Sequence, residues 1–390
     1  MLNYDWIVIG AGITGSALSY ELAKQGLKVL LLEKDPNLDN ATIYSYGGLA
    51  YWSGTTELTR KLCQESIELH QNLAQELGTD TEFREIDLIL TLDRKSDPQA
   101  VLSNYQQFYL QPQLLDVQET CKLEPLLNPH VIAGSLKLPH GHVNPQKTNL
   151  AYQQAFRRLG GEIKIEEAIA FFKGDHKIEG VKTNQNNYLA ENTVVCAGGL
   201  TRSLLQQNGI NVPIYFTHAQ LIKTPPTEIK LRTLVMSANL ERLVMETEVT
   251  KPENEQLWQQ PRTKLLTSVM ETGGVQFLDG SICMGQISQI ITDPHAQVDS
   301  LASEAEIRHH IANLLPPLSN LTGTWHNCLV AFTKNNDWLV GKIDNFEGIY
   351  LFSGFTSPFV YAPPLARHFA HYYSGHEDPL IPQLKLKSPI

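Results

Sequence analysis

At 390 residues, 42% of them apolar, the chain is long enough for two domains and a sizeable core. A formal net charge of −10 without a dense basic run argues against a nucleic-acid binder, and the longest apolar run is far short of a membrane span. Cysteines 63, 121, 196, 283 and 328 form no metal-like spacing, so no metal site is predicted, and reduced thiols fit a cytoplasm.

Asp5 to Ile9 is an apolar strand-like run that stops at Gly10-Ala11-Gly12-Ile13-Thr14-Gly15. Because a strand begins so early, no signal or transit segment is expected. Ser16 to Gln25 has helical spacing, Gly26 ends it, and Leu27 to Leu32 reads as a second buried strand with Glu33-Lys34 at its tip. Strand, glycine turn, helix, strand and acid together predict a dinucleotide site. Gly10 permits the tight turn, Gly12 lets the backbone approach a pyrophosphate, and Gly15 lets helix and strand pack closely. The helix start at Thr14 aims free N–H groups at the phosphates. Glu33, eighteen residues after Gly15, suits the hydroxyls of an adenosine ribose and argues against a 2′-phosphate. FAD and NAD stay equally open on this fingerprint.

A polar connector from Asp35 to Ser45 leads to Tyr46-Gly47-Gly48-Leu49-Ala50-Tyr51-Trp52, where paired glycines beside aromatics suit either a backbone passing a flat ring or an ordinary turn. Glu57 to Leu77 predicts a long amphipathic helix closed by Gly78. Thr81 to Leu92 suggests strands, 98–109 and 117–126 helices, and 132–138 a strand. Pro145 opens a helix to Leu159, Glu162 to Phe172 returns as strands, and the strand over 191–195 ends at Cys196-Ala197-Gly198-Gly199 before a helix over 200–207. From Val212 to about Leu321 short strands dominate, including 275–278, 282–286 and the run before Pro225, with one helix over 301–315. The tail returns to the opening style, with a strand over 348–353, Gly354, and a helix over 364–373.

The ordered set of Gly10-x-Gly12-x-x-Gly15 with Glu33, Val143-Asn144-Pro145, Val194 through Gly198, Asp279-Gly280 with Gly285, and Gly354 through Pro363 resembles the D-amino-acid-oxidase-like (DAO) family of FAD-dependent oxidoreductases over nearly the whole chain. The resemblance implies an α/β fold, α+β in its second domain. A Rossmann-like FAD-binding domain would be assembled from 1–80, 140–211 and 322–390, beside an antiparallel-sheet substrate domain from 81–139 and 212–321. It also implies FAD contacts from Gly10 through Gly15, Glu33, Lys34, Ser45, Gly47, Gly48 and Leu49. Further contacts would come from the segment around Ile169, from Ala197 and Gly198, and from Gly354, Phe355, Thr356, Ser357, Pro358 and Phe359. By the same likeness Cys328 stands in the segment where related enzymes bond a cysteine sulfur to the flavin. Covalent attachment and a plain buried thiol both stay open.

The family pattern is broken in two places. Val330 stands where amino-acid oxidases of the family often carry an arginine that forks onto the substrate carboxylate. Pro358 takes the place of a lysine found in sarcosine-oxidase-like members, and Phe355 replaces a common histidine. Arg242, Arg262, Lys264 and Lys334 are candidate substitutes. Tyr51, Trp52, His218 and Phe355 are the candidate catalytic positions, with Tyr46, Phe359 and Tyr361 as further aromatics for an apolar, aromatic or cationic substrate.

The implied chemistry is oxidation of a C–N bond in an amino acid, secondary amine or related small molecule. Oxygen, or a quinone or protein, would take the electrons. Two alternatives stand beside it: oxidation of a 2-hydroxy acid or glycerol phosphate, which would need a base such as His218, and a non-catalytic FAD-binding module. Substrate, linkage and oligomeric state are left open.

Overall fold

The structure is a computed structural model that describes residues 3–174 and 177–384, so the ends of the 1–80 and 322–390 segments, 1–2 and 385–390, lie outside it. In chain order the first elements are β1 (Asn3–Ile9), α1 (Ile13–Lys24), β2 (Val29–Glu33), β3 (Gly48–Leu49), α2 (Glu57–Leu77) and β4 (Arg84–Asp93). There follow α3 (Pro98–Asn104), β5 (Gln113–Leu115), α4 (Val117–Leu123), β6 (Ile132–His142), α5 (Pro145–Arg158), β7 (Glu162–Ile165), β8 (Ala168–Lys173), β9 (Ile178–Thr183), β10 (Asn187–Val195) and α6 (Thr201–Gln207). The remainder is β11 (Ile214–Lys223), β12 (Leu234–Ser237), α7 (Glu241–Val249), α8 (Glu255–Gln259), β13 (Thr267–Gln276), β14 (Ile282–Ile290), α9 (Ser300–Leu314), β15 (Thr324–Thr333), β16 (Leu339–Lys342), β17 (Ile349–Ser353) and α10 (Pro358–Tyr373).

These elements form two sheets. In the first, the order β16-β17-β10-β1-β2-β7 places β1 at the centre, parallel to β10 and β2, with β9 and β8 joined on at β10. Its central strands are buried on both faces, and their side chains alternate between two cores. Trp6, Val8, Val29 and Leu31 enter one core with α1, α2, α5 and α10; Ile7, Ile9, Leu30 and Leu32 enter the other. Each such aliphatic side chain contributes about 1.5–3 kcal/mol by leaving water. α2 spans the expected residues because a Thr56/Thr59 capping box starts it and Gly78, at φ 60°, stops it.

The second sheet runs β15-β11-β14-β13-β12-β4-β6-β3, with β5 on β6. One face packs on α9 through Ile307, Ile311 and Leu314. The other carries Leu88, Leu90, Leu221, Leu234, Val275 and Cys283 and faces Trp52 and the 44–50 segment.

Several expectations are corrected. The 98–109 helix stops at Asn104, because Tyr105 and Phe108 turn inward to pack around Trp52. β6 runs four residues past Leu138, since Arg84 through Asp87 pair with Pro139 through His142. α7 and α8 add helices to a region expected to hold only one, anchored by buried Met245, Val249 and Trp258. α10 begins at Pro358 rather than Pro364 and carries Pro363 and Pro364 inside it. β15 pairs with β11 along its whole length, so 324–333 belongs to the second sheet and not with the 322–390 segment.

Candidate functional site

At the end of β1, Gly10 takes φ +102°, and a Cβ on Gly15 would lie 1.8 Å from the Gly10 carbonyl oxygen. Only glycine fits either position. The turn opens on a cleft of about 380 Å³ that runs from the ends of β1, β2 and β10 to β15 of the second sheet. Gly10, Gly12 and Thr14, Glu33 and Lys34, Ala197 and Gly198, and Asn327 and Cys328 all line it, with Ala197 directly beside Gly10.

Glu33 is 8% exposed. Its Oε2 accepts the Ala11 N–H at 2.7 Å and its Oε1 the Asp35 N–H at 3.0 Å. A carboxylate offers about four acceptor positions, so two bonds leave capacity for a pair of hydroxyls from the cleft. The first-turn N–H groups of α1 have no intrahelical acceptor. That of Ile13 goes to Thr42 Oγ1 at 3.0 Å, which ties the 39–45 loop to the helix. Gly198, at φ +53°, has open space where a Cβ would stand. Lys34 is outnumbered at the lining by Glu33, Asp35, Asp39, Glu166 and Glu167. A pyrophosphate here must therefore be held by backbone N–H groups and the helix dipole. This donor set fits FAD: a carboxylate for the ribose, amides for the pyrophosphate and an uncrowded glycine at the end of the neighbouring strand.

The structure thus brings together Gly10, Gly12, Thr14, Glu33, Lys34, Ala197, Gly198 and Cys328 on one surface. Ala11 and Ile13 form the turn but send their side chains into the core. From the segment around Ile169, Glu166, Glu167 and Ala168 line the cleft, while the Ile169 side chain is exposed. Sequence reasoning missed Thr42, Glu166 and Asn327. A threonine nine residues past a strand carries no signal of its own, because the loop that returns it to α1 is irregular.

The remaining expected residues gather elsewhere. Gly47 and Gly48 are glycines because β6 and the residue after it press on them: a Cβ would meet the Val143 carbonyl oxygen at 2.1 Å or His140 Nε2 at 2.6 Å. Ser45 Oγ accepts the Gly47 N–H at 3.1 Å, and Leu49 is buried on Gly141. Gly354 packs on Thr333, and Thr356, Ser357 and Pro358 lead into α10.

Phe355 is corrected as a catalytic candidate. It is a core ring, 5.1 Å from Phe352 and 5.8 Å from Trp338, and Phe359 is likewise fully buried. Trp52 is corrected too: its single polar atom donates to His140 Nδ1 at 3.1 Å, and Tyr105 and Phe108 surround it. Burial holds that His140 neutral, its pKa pushed down to about 3. Tyr51 is half-buried against the first core, where burial raises its phenol pKa.

His218 is fully buried, with Nε2 3.0 Å from the Asp293 carbonyl oxygen and Nδ1 3.4 Å from the Asn327 amide nitrogen. Burial lowers its pKa. Both ring nitrogens are engaged, so His218 is a structural histidine rather than a free base.

Cys328 is also buried, and burial drives its thiol pKa up to about 12, although Arg242 pulls the other way. That arginine is the one of the four substitute anchors drawn inward, since Arg262, Lys264 and Lys334 are exposed. Arg242 Nε donates to Glu246 Oε1 at 2.9 Å, and its Nη1 lies 3.6 Å from Glu271 Oε2.

The sequence profile of a family described as FAD dependent oxidoreductase (DAO) matches residues 5–372. Human mitochondrial dimethylglycine dehydrogenase is 27% identical over 235 residues, which are 58% of this chain and 27% of that one. Human peroxisomal sarcosine oxidase is 27% identical over 214 residues, 54% of each. The matches therefore span only about a quarter to a half of these relatives' lengths. Among solved structures, glycine oxidase from Geobacillus kaustophilus superposes with a TM-score of 0.78 at 18% identity, covering 97% of this chain and 96% of that one, which is a likeness of fold.

Proposed function

The chain belongs to the DAO family of FAD dependent oxidoreductases, and from that membership we propose that it oxidises a C–N bond of an amino acid, secondary amine or related small molecule. The observation that carries this reading is one cleft lined both by the nucleotide donors from Gly10 to Glu33 and by Asn327, Cys328 and Leu329 of β15, the edge strand of the second sheet.

Bound FAD supplies the hydride acceptor, and the organic step is the cofactor's own. What the chain supplies is position. Glu33 would take the ribose hydroxyls, and the amides around Gly12 and Thr14, at the positive end of α1, would take the pyrophosphate. The apolar face of the second sheet, with Cys283, Leu221 and Leu234 packed around Trp52, would shield a reacting end placed against it from water. A neutral amine carries the lone pair that drives loss of hydride from its carbon, so no further proton acceptor is needed at that moment. An alcohol would need one. The engaged ring of His218 supports the amine over the hydroxy-acid alternative.

The names of the relatives agree in kind, since dimethylglycine, sarcosine and glycine each carry nitrogen on the carbon to be oxidised. Among the described residues no helix is long and apolar enough to cross a membrane. The cytoplasm remains the proposed compartment.

The test is anaerobic bleaching of the flavin absorbance by D- and L-amino acids, N-methyl amines, cyclic imino acids, 2-hydroxy acids and glycerol phosphate. Bleaching by one nitrogen-bearing class supports the reading, and readmitted air then separates an oxidase from an enzyme that passes electrons to a quinone or protein. Bleaching by hydroxy compounds alone overturns it. Bleaching by dithionite but by no metabolite leaves the FAD-binding module.

A further inference from the structure

Among the described residues that line the cleft, Asn327 alone carries a buried side-chain oxygen without a partner. Asn327 lies on β15 and pairs with Gln220 of β11, two residues along that strand from His218. Cross-strand pairing and alternation therefore put Asn327, Gln220 and His218 on one face of the second sheet.

The neighbours fix which way this amide is turned. His218 Nε2 lies 3.0 Å from the Asp293 carbonyl oxygen, which can only accept, so Nε2 carries the proton. Burial lowers the pKa of the ring and keeps it neutral, which leaves Nδ1 as an acceptor. Asn327 must then present its NH2 group to Nδ1, at 3.4 Å, and turn Oδ1 away from the ring. The turn that starts this chain is itself held. The Asp293 N–H donates to the Arg262 carbonyl oxygen at 3.2 Å, and Asp293 Oδ1 accepts the His295 N–H at 2.8 Å. Pro294 and His295 of that turn line the cleft as well. Turn, imidazole and amide form one relay whose last atom is an unpaired acceptor.

A buried acceptor left unmade is costly, so few persist unless a water or a ligand completes them. Two occupants compete for this one. Gln220 has both amide atoms unpartnered, so a water bridging it to Asn327 is the first. The second is a donor on the cofactor. Glu33 and the amides around Gly12 and Thr14 account for the adenosine and pyrophosphate, and β15 has no part in that. The flavin half brings the remaining donors, its ribityl hydroxyls and one ring N–H. The relay favours the cofactor, because a water both donates and accepts and would suit either end of the amide. An acceptor held in one orientation suits a ligand that donates.

We propose that Asn327 Oδ1 accepts a hydrogen bond from the flavin half of bound FAD, and that His218 is the positioning residue that holds the amide in that orientation. The proposal rests on FAD as the cofactor and is independent of the substrate. It makes β15 the place where FAD is told from ADP, which offers Glu33 and the glycine turn the same groups but gives Asn327 nothing.

The experiment titrates the full-length protein, stripped of flavin, with FAD, with ADP and with FAD methylated at its ring N–H, by calorimetry. Asn327→Leu keeps the side chain's size without its polar atoms, and His218→Phe keeps a ring without its nitrogens. Each is expected to weaken FAD about 10-fold and to leave ADP unchanged. The double variant is expected to lose no more than either alone, since both act through one bond. His218→Gln, whose amide can donate to Asp293 and accept from Asn327, is expected to regain most of the affinity. If Asn327→Leu still weakens the methylated FAD, the donor is a ribityl hydroxyl; if it does not, the donor is the ring N–H. Either result supports the contact.

Unchanged FAD affinity in Asn327→Leu assigns the oxygen to a water and overturns the proposal, as does ADP weakened as much as FAD. Additive losses in the double variant overturn the positioning role of His218. Asn327→Leu decides the contact even where His218→Phe does not fold. A parent chain that binds ADP but no FAD overturns the cofactor reading itself, and the proposal with it.

Discussion

The two ends of the cleft are built in opposite ways. At the nucleotide end, Gly10, Gly12, Gly15 and Glu33 come from one short stretch of chain, and backbone groups perform most of the binding. Where the second sheet begins, Tyr46, Arg242, Glu271 and Cys328 come from the 39–47 loop, α7, β13 and β15, and what they bring together is side chains. A site made of local backbone geometry tolerates almost no change at its turn. A cluster made of distant side chains is set by packing between elements, so no single stretch of chain fixes it.

The contrast is broken most severely at Gly15. A Cβ there meets the Gly10 carbonyl oxygen at 1.8 Å, so Gly15→Val must push α1 off the first sheet. The expected cost is about 4 kcal/mol or more. The protein should purify without flavin and melt well below the parent, measured by visible absorbance per mole and by thermal denaturation. Flavin retained at full occupancy would mean that the turn is not the cofactor's seat.

Glu33→Ala comes next. It removes the acceptor of the Ala11 and Asp35 N–H groups as well as the ribose carboxylate, yet leaves the backbone turn in place. FAD affinity should fall about 100-fold, with Glu33→Gln in between, by titration of the stripped protein with FAD. An unchanged affinity would move the ribose elsewhere in the cleft.

The same contrast explains what the sequence revealed. The nucleotide end was legible because strand, turn, helix and acid are each set by neighbours in the chain, and the period of β1 and the caps of α2 follow local rules. At the other end only particular residues could be named. Arg242 was one cation among four, and nothing in its own stretch said that α7 would form or carry it inward. Phe355 and Trp52 looked like site aromatics because composition does not distinguish a ring facing a ligand from one facing Phe352 or Tyr105. The extra residues of β6 and the place of β15 were likewise decided by pairing across the sheet.

Acid should separate the two regions further. Burial holds His140 and His142, both on β6, at pKa values of about 3, and His70, on α2, at about 4. An unfolded histidine titrates near 6.5. The unfolded chain therefore binds more protons below about pH 6.5, and the stability that these neutral rings contribute is complete above that pH. It drains away as pH falls toward the folded values, by up to about 1.4 kcal/mol per unit for each histidine. Denaturant unfolding from pH 7 to pH 4.5 should show this loss. His140→Gln should flatten the slope by one histidine's share, at the expense of the Trp52 bond. A slope unchanged in that variant would show that His140 is not buried neutral.

The smallest effect is expected at Cys328, where the nucleotide cleft meets the second sheet. Attachment of a cysteine to an electron-poor ring starts from the thiolate. Burial pushes this thiol up to about 12, and the pull of Arg242 only partly offsets it, because that guanidinium is already shared between Glu246 and Glu271. The thiol lies 3.7 Å from the Ala219 carbonyl oxygen, a long contact of the kind a small apolar residue makes. Acid precipitation should therefore release the flavin into the supernatant, and Cys328→Ala should keep both flavin content and visible spectrum. Flavin that stays with the pellet in the parent and leaves it in Cys328→Ala would reverse this. It would mean that bound cofactor lowers the thiol's pKa far more than Arg242 does alone.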